Sequence, residues 1–234
     1  MDEKDKSDMI KKLRKGVKLS PMIHSSIMSG FDQIIDFIDF VKSALKREQD
    51  ITSMRLEEGT HGLNEEELES YYEFYGEDYL KIDEVFRKAA IELIIVKIYS
   101  HIEVGMCDLC DVIRQDRQKH DNETIEPRDS VYLDSTKKYM IKNLGLNLEL
   151  DKNLEWAEIL GHKDLRNAIV HNDGWLSTKN GTIKKLIENG LVEVGQKVES
   201  DNQISGKISL KFEYIDYILP KVRKFFQDLK PIIK

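Results

Sequence analysis

The amino-acid sequence predicts a mainly α-helical protein, an antiparallel helical bundle with a small β-hairpin before the C-terminal helix. Apolar residues recur at three- and four-residue spacings along most of the chain. Capping residues and glycines mark where these stretches begin and end, and one stretch near residues 191–212 instead alternates apolar and polar residues. The chain has 234 residues with only 4 Pro, which is long enough to bury a substantial core.

The first predicted helix begins at Ser20-Pro21, because Ser is a preferred N-cap and Pro is favoured at the first helical position. One apolar stripe carries the helix toward Glu57, and it consists of Phe31, Ile34, Ile35, Ile38, Val41 and Leu45. The glycines of residues 59–62 end it. We expect a helix of about ten turns in this part of the chain.

A second helix is predicted after Asn64, which forms a capping-box pattern with Glu67, and we expect Gly76 to interrupt it. This helix contains four tyrosines at helical spacing, Tyr71, Tyr72, Tyr75 and Tyr79. The spacing favours packing in the core or at an interface over stacking on nucleic-acid bases. The strongest apolar stripe follows and predicts a long central helix over roughly residues 80–118.

Two shorter helices are predicted beyond the polar loop of residues 120–130. The first covers residues 131–144 and stops at Gly145. The second begins near Asp151, is expected to be split at Gly161, and ends at Asn172-Asp173-Gly174. The β-hairpin of residues 191–212 then precedes a C-terminal amphipathic helix, which Pro220 is expected to kink.

The predicted elements suggest two parts. Residues 1–79 form an N-terminal helical extension that packs on the bundle, and residues 80–234 form the helical domain with its hairpin. No apolar run approaches the roughly 20 residues that cross a bilayer, and the charged N-terminus leads into no secretory segment. We therefore expect a cytoplasmic protein without a membrane partner.

The formal net charge of −7 argues against a protein that coats nucleic acid through bulk electrostatics, because phosphate binding relies on clustered Lys and Arg. The charge is segregated: residues 57–84 are rich in acids, whereas residues 11–15 and 221–224 are basic. An acidic helix face is usually solvated, and binding a partner or gating a substrate is the alternative.

The sequence predicts no metal site and no cofactor. Cys107 and Cys110 have CxxC spacing, which supplies only half of a tetrahedral zinc site, and two small residues on a helix is the favoured interpretation. No metal-ligand spacing joins them to the histidines at positions 24, 61, 101, 120 and 162. Phosphate-binding and dinucleotide-binding glycine motifs are also missing from the sequence.

The candidate site is the stretch from Arg166 to His171. Both residues stand at the end of a predicted helix whose inner face is Leu165, Ala168 and Ile169, so neither is needed for packing. On an ideal helix Asn167 and His171 share one face and Arg166 is rotated away. We therefore expect Arg166 and His171 to diverge unless the last turn unwinds.

Residues 165–174 (LRNAIVHNDG) resemble the Arg-x4-6-His motif of the HEPN superfamily, and Asn167 matches the polar residue that usually follows its Arg. The resemblance covers roughly residues 80–230. It includes the central helix with the segment 98–103, the helix ending at 144–146, and Trp156 upstream of the motif.

The resemblance implies a homodimeric, metal-independent endoribonuclease whose two motifs face each other. Imidazole exchanges protons near neutral pH, so His171 of each subunit would serve as base or acid while the RNA is cut through its 2′-hydroxyl. Arg166 would stabilise charge on the phosphate, and Asn167 would orient His171 or the phosphate. Glu103 is a candidate to position Arg166, and His162 lies four residues before Arg166 and is a second candidate to support the site.

This resemblance also implies a role in phage defence or toxin–antitoxin biology, with a protein antitoxin or another regulatory partner. HEPN toxins paired with nucleotidyltransferase antitoxins have Tyr two residues after the His, and this chain has Asp173 there. Two alternatives stay open. A HEPN-like dimer can bind RNA or nucleotides as a scaffold without cleaving, and Arg166 and His171 can simply cap a helix C-terminus.

Overall fold

The computed structural model describes residues 19–121, 123–146, 148–150, 153–200 and 202–231. Over these residues the protein is mostly helical, with a small antiparallel sheet before the last helix. This confirms the fold class predicted from the apolar periodicity. The basic segment 11–15 lies outside the described residues. None of the described helices has the length and apolar character of a membrane span.

A π-helical turn (Lys81–Phe86) lies between the second and third helices. The helices and strands are, in chain order, α1 (Ser20–Gly59), α2 (Glu65–Leu80), α3 (Arg87–His120), α4 (Leu133–Lys142), α5 (Leu154–His171), β1 (Trp175–Thr178), α6 (Gly181–Glu188), β2 (Val192–Ser200), β3 (Gln203–Leu210) and α7 (Phe212–Leu229).

The chain folds into two compact units. Among the described residues, the first comprises residues 19–32, 99–159 and 219–231, and the second comprises residues 33–98 and 160–218. The candidate motif lies in the second unit. The division after residue 79, into an N-terminal extension and a helical domain, stays a prediction.

In the first unit, a carboxylate distant in sequence caps the start of α1. The Asp116 side chain accepts hydrogen bonds from the backbone N–H groups of Leu19 and Ser20, at 2.9 Å each. Asp116 is buried, at 5 % exposure. Local sequence patterns cannot show this cap, because Asp116 lies 97 positions from Leu19 in the chain. The helix nevertheless begins where Ser20-Pro21 predicted. Farther along, the Phe31 ring packs edge-on against His101 with ring centres 4.5 Å apart.

In the second unit, three strands form an antiparallel sheet in the order β1-β3-β2. β2 and β3 confirm the predicted hairpin, with Val192 opposite Leu210 and Ser200 opposite Gln203. The strand β1 and the helix α6 were not predicted. β1 has only four residues and α6 only eight, so neither is long enough to show a clear period.

The two glycines expected to break helices do not break them. Helix α2 runs through Gly76, and α5 runs through Gly161. A Cβ atom added at Gly161 would lie 3.2 Å from the Thr182 side chain, so this glycine permits close packing of α5 against α6. The central helix also begins later than predicted, at Arg87, because residues 81–86 form a π-helical turn.

The tyrosines of α2 do not pack in the core. The capping box of Asn64 and Glu67 is present, yet α2 has no buried residue, and Tyr72 and Tyr75 are 51 % and 47 % exposed. The prediction of core packing was therefore wrong for this helix. Its alternative, packing at an interface, stays a prediction.

Candidate functional site

The C-terminal half of α5 places the motif residues at a boundary between core and solvent. Leu165 and Ala168 are buried, with 0 % and 2 % exposure, and they hold this part of the helix against the core. Arg166 and Asn167 are half-buried, and His171 is exposed. The part of α5 that carries the motif is therefore held in place, while solvent or a ligand can reach the imidazole ring of His171.

Arg166 contacts both of the other motif residues. Its Nη1 atom donates to Asn167 Oδ1 at 3.0 Å and lies 3.2 Å from His171 Nε2. A guanidinium group only donates hydrogen bonds. His171 Nε2 is therefore the acceptor in this contact, and the ring hydrogen is on Nδ1.

This contact corrects the expected divergence of Arg166 and His171. The helix does not unwind before His171. Its end is closed by two hydrogen bonds to the Ala168 carbonyl, from Asn172 N–H at 3.1 Å and Gly174 N–H at 2.9 Å. Asp173 and Gly174 both have positive φ angles, +49° and +78°, so the chain leaves the helix through two residues in the left-handed region. Arg166 and His171 leave the helix in different directions, and the long Arg166 side chain reaches across this difference.

Asn167 has a different contact from the one expected of it. Its carboxamide oxygen accepts a hydrogen bond from Arg166, so Asn167 helps to fix the guanidinium group. Because Arg166 in turn contacts His171, Asn167 orients the imidazole through Arg166. Direct orientation of a phosphate by Asn167 stays a prediction.

A second cation stands beside the end of α5. Lys207 on β3 forms an ion pair with Asp173, with Nζ and Oδ2 2.8 Å apart. This hydrogen bond lowers the pKa of the Asp173 carboxyl below its usual range, and Lys88 contributes to the lowering. The sequence did not identify Lys207 or Lys88, because each is distant along the chain and neither belongs to a local motif.

His162 lies in the core of the second unit. It is 0 % exposed, and Nε2 lies 3.2 Å from the Ile95 carbonyl oxygen. Because a carbonyl only accepts, Nε2 carries the hydrogen, and Nδ1 accepts from the Tyr214 hydroxyl at 2.9 Å. Burial lowers the pKa of His162 to about 4. His162 therefore supports the site structurally, because it anchors α5 one turn before Arg166.

The neutral, buried state of His162 predicts an acid-sensitive fold. In the unfolded chain this ring titrates near 6.5, whereas in the folded protein it titrates near 4, so the unfolded state binds more protons between these values. Stability is then lost as the pH falls from 6.5 to 4, by about 3 kcal/mol from this group. Chemical denaturation at pH 7 and pH 4 measures the change.

The control for that measurement is His162→Gln, which keeps an amide donor for the Ile95 carbonyl and cannot titrate. The variant should lose about 3 kcal/mol less than the wild type between the two pH values. Equal losses in both proteins contradict the assignment. Folding of the variant at pH 7 is established first from its unfolding transition.

Glu103 lies in the first unit, where it lines a pocket of about 450 Å³ together with Cys107 and Arg128. Arg128 forms an ion pair with Asp111 at 2.9 Å and lies 3.1 Å from Cys107 Sγ. The positioning of Arg166 by Glu103 stays a prediction.

The two cysteines are buried in the first unit. Burial raises the pKa of the Cys110 thiol to about 12, so this side chain is a thiol at neutral pH, whereas zinc binds thiolates. Cys107 Sγ donates to the Val131 carbonyl at 3.5 Å. Within the described residues, no group of three or more His, Cys, Asp or Glu side chains is arranged to hold a metal ion.

The motif thus supplies one imidazole nitrogen able to accept a proton and one guanidinium group able to stabilise negative charge, in hydrogen-bonding contact. Such a pair suits proton transfer beside an anionic group. Comparisons of this chain with protein-family models, with curated proteins and with solved structures found no match.

Proposed function

We propose that this protein is a metal-independent endoribonuclease of the HEPN type, which cleaves RNA through its own 2′-hydroxyl at a composite site in a homodimer. The observation that carries the proposal is the contact between Arg166 Nη1 and His171 Nε2. It combines the two residue types of the motif that resembles HEPN nucleases, in a position where the imidazole is exposed.

The contact suits His171 for the role of general base. Because Arg166 donates to Nε2, this nitrogen carries no hydrogen, and its lone pair is held by the guanidinium group. A phosphate bound at Arg166 accepts hydrogen bonds from the guanidinium group in place of His171. Nε2 is then released to take the proton from the 2′-hydroxyl as that oxygen attacks the phosphorus.

The reaction also needs an acid, and this requirement supports the dimer. As the bond from phosphorus to the 5′-oxygen breaks, the leaving oxygen takes up a proton, which gives a 2′,3′-cyclic phosphate and a 5′-hydroxyl. A neutral His171 that acts as base holds no proton on Nε2 to give at the start. We assign the acid role to a protonated His171 of a second copy, so that each chain supplies half of the site.

The surroundings of the motif supply cations for a polyanionic substrate despite the net charge of −7. Lys207 is ion-paired with the exposed Asp173, and Lys88 affects the same carboxyl. Exposed ion pairs of this kind are weak, so a phosphate can replace Asp173. In a cytoplasmic setting such a nuclease fits phage defence or toxin–antitoxin biology, restrained by a protein antitoxin or another regulatory partner.

A second candidate is a HEPN-like scaffold that dimerises or binds RNA without cleaving it. The observation in its favour is a set of exposed apolar side chains on α1 and α2, including Phe37, Phe40, Phe74, Tyr72 and Tyr75, which are between 47 % and 75 % exposed. Exposed apolar surface is typical of protein-binding faces. In this candidate, Arg166 and His171 stabilise the C-terminus of α5 and do no chemistry.

Mixing wild-type protein with His171→Ala at fixed total concentration tests the composite site. After subunit exchange in an equal mixture, RNA cleavage in EDTA should fall to about a quarter of the wild-type rate, because only dimers with two intact chains are active. Independent sites in each chain would leave about half. A rate near half contradicts the shared site, and no cleavage by the wild-type protein favours the scaffold.

A further inference from the structure

An exposed tryptophan follows the candidate motif. Trp175 begins β1, where exposed and buried residues alternate, and its side chain lies on the outer face of the sheet at 45 % exposure. The next residue, Leu176, is buried at 4 % exposure. Trp175 therefore presents nearly half of a large aromatic side chain to solvent.

Trp175 is held close to the motif by the backbone. Its N–H group donates to the Asn172 carbonyl at 2.8 Å, and the Gly174 carbonyl accepts from Ile208 N–H at 2.9 Å. These bonds fix the turn that leads from α5 into β1. Since four residues span at most about 14 Å, the Cα atoms of Trp175 and His171 lie within that distance.

The residue paired with Trp175 on the neighbouring strand is a cation. Trp175 is directly opposite Lys207 in the β1–β3 register, so both side chains stand on the same face of the sheet. The next pair on this face is Ser177 and Ser205, whose hydroxyl oxygens are 2.9 Å apart. On β1 and β3 this face therefore carries one aromatic ring, one ammonium group and small polar side chains. On β2 it carries Val198, opposite Ser205, and Glu193, opposite Ser209.

We propose that Trp175 stacks on a base of single-stranded RNA whose adjacent phosphate is bound by Lys207, next to the Arg166–His171 site. This inference rests on the proposed function, because it identifies the RNA segment that the nuclease holds. Stacking of bases on aromatic side chains, with cations along the backbone, is the usual mode of binding for single strands. The small hydroxyl side chains beside Trp175 leave its ring open to a flat base.

The same features argue against a protein partner at this face. The centre of a protein interface is a cluster of apolar side chains. Here the neighbours of Trp175 on β1 and β3 are Lys207, Ser177 and Ser205, and the exposed aliphatic side chain on this face, Val198, lies across β3 on β2. The ammonium group complements a phosphate, and its present partner, Asp173, is an exposed carboxylate that an RNA phosphate can displace.

The test is binding of a single-stranded 2′-O-methyl oligonucleotide, which cannot be cleaved through its 2′-oxygen. Trp156 is buried at 2 % exposure, so Trp175 is the tryptophan whose fluorescence an added quencher reaches. We expect the oligonucleotide to protect Trp175 from acrylamide. We also expect Trp175→Ala to raise Kd by about 5- to 150-fold, with Trp175→Phe close to the wild type.

Two further variants sharpen the result. Lys207→Gln should weaken binding. It should also reduce the slope of log Kd against log salt by about 1, which corresponds to the loss of one phosphate contact. Tyr132→Ala removes an aromatic ring that is 72 % exposed in the first unit and should leave Kd unchanged. Thermal unfolding of each variant establishes that it is folded.

The outcomes separate this inference from the proposed function. If Trp175→Ala binds and cleaves RNA as the wild type does, or if the wild type binds no oligonucleotide, the stacking role is overturned. If the oligonucleotide binds through Trp175 but natural RNA stays intact, the stacking role is supported and the nuclease proposal fails.

Discussion

Replacing His171 with alanine is expected to lower the rate of RNA cleavage in EDTA by more than about 10²- to 10⁴-fold, the usual contribution of one general base or acid, because the substitution removes both groups from the homodimer. The loss should appear in the rate of the chemical step, because the proposed proton transfer occurs only as the 2′-oxygen attacks. Single-turnover cleavage of a labelled single-stranded RNA measures it.

The matched control for that variant is His61→Ala. His61 is also an exposed histidine of the second unit, in the connection between α1 and α2, and its removal should leave cleavage unchanged. Equal activity of His171→Ala and the wild type would contradict the catalytic assignment. The unfolding temperatures of both variants should match that of the wild type, since neither side chain is buried.

Replacing Arg166 is expected to have the second-largest effect. Arg166→Gln should lower kcat by about 10²- to 10³-fold, because it removes the donors that stabilise charge developing on the phosphate. Arg166→Lys should also be impaired, since an ammonium group lacks the planar fork of donors that matches a phosphate. Steady-state kinetics with a fluorogenic RNA separate the effect on kcat from that on KM.

Arg47→Gln is the control for charge alone. Arg47 is exposed on α1 in the second unit, so its loss changes the net charge by the same amount as Arg166→Gln. Its cleavage rate should stay near that of the wild type. If both variants lose activity equally, Arg166 acts only through the overall field of the protein.

The helices were largely predictable because their signals are local. The apolar stripe and the capping box of Asn64 with Glu67 depend on neighbouring residues, and so does the left-handed glycine at 174 that ends α5. The cap of α1 by Asp116 was not predictable, since its partners lie almost one hundred positions apart in the chain.

The residues of the candidate site could be predicted from the sequence, but the contact between Arg166 and His171 could not. The motif identified Arg166, Asn167 and His171, whereas ideal helix geometry wrongly separated the first from the last. The contact depends on the rotamer and reach of a long side chain, which backbone periodicity does not fix. The buried state of His162 likewise depends on Tyr214 and the Ile95 carbonyl, which come from other elements.

Trp175 and Lys207 were missed for a different reason. The alternation of Trp175 to Thr178 directly after Gly174 was a signal for a short strand, but four residues gave it little weight. Because β1 was not predicted, the sequence could not show that Trp175 is paired with Lys207 on one face of the sheet.

The most direct test of the central claim is the chemistry of the RNA ends produced in EDTA. The wild-type protein should give fragments with 2′,3′-cyclic phosphate and 5′-hydroxyl ends, and a substrate with a single 2′-deoxynucleotide at the cleavage position should stay intact there. His171→Ala should give neither product. Intact RNA with the wild-type protein, or equal cleavage by the two proteins, would contradict the claim that Arg166 and His171 form a ribonuclease site.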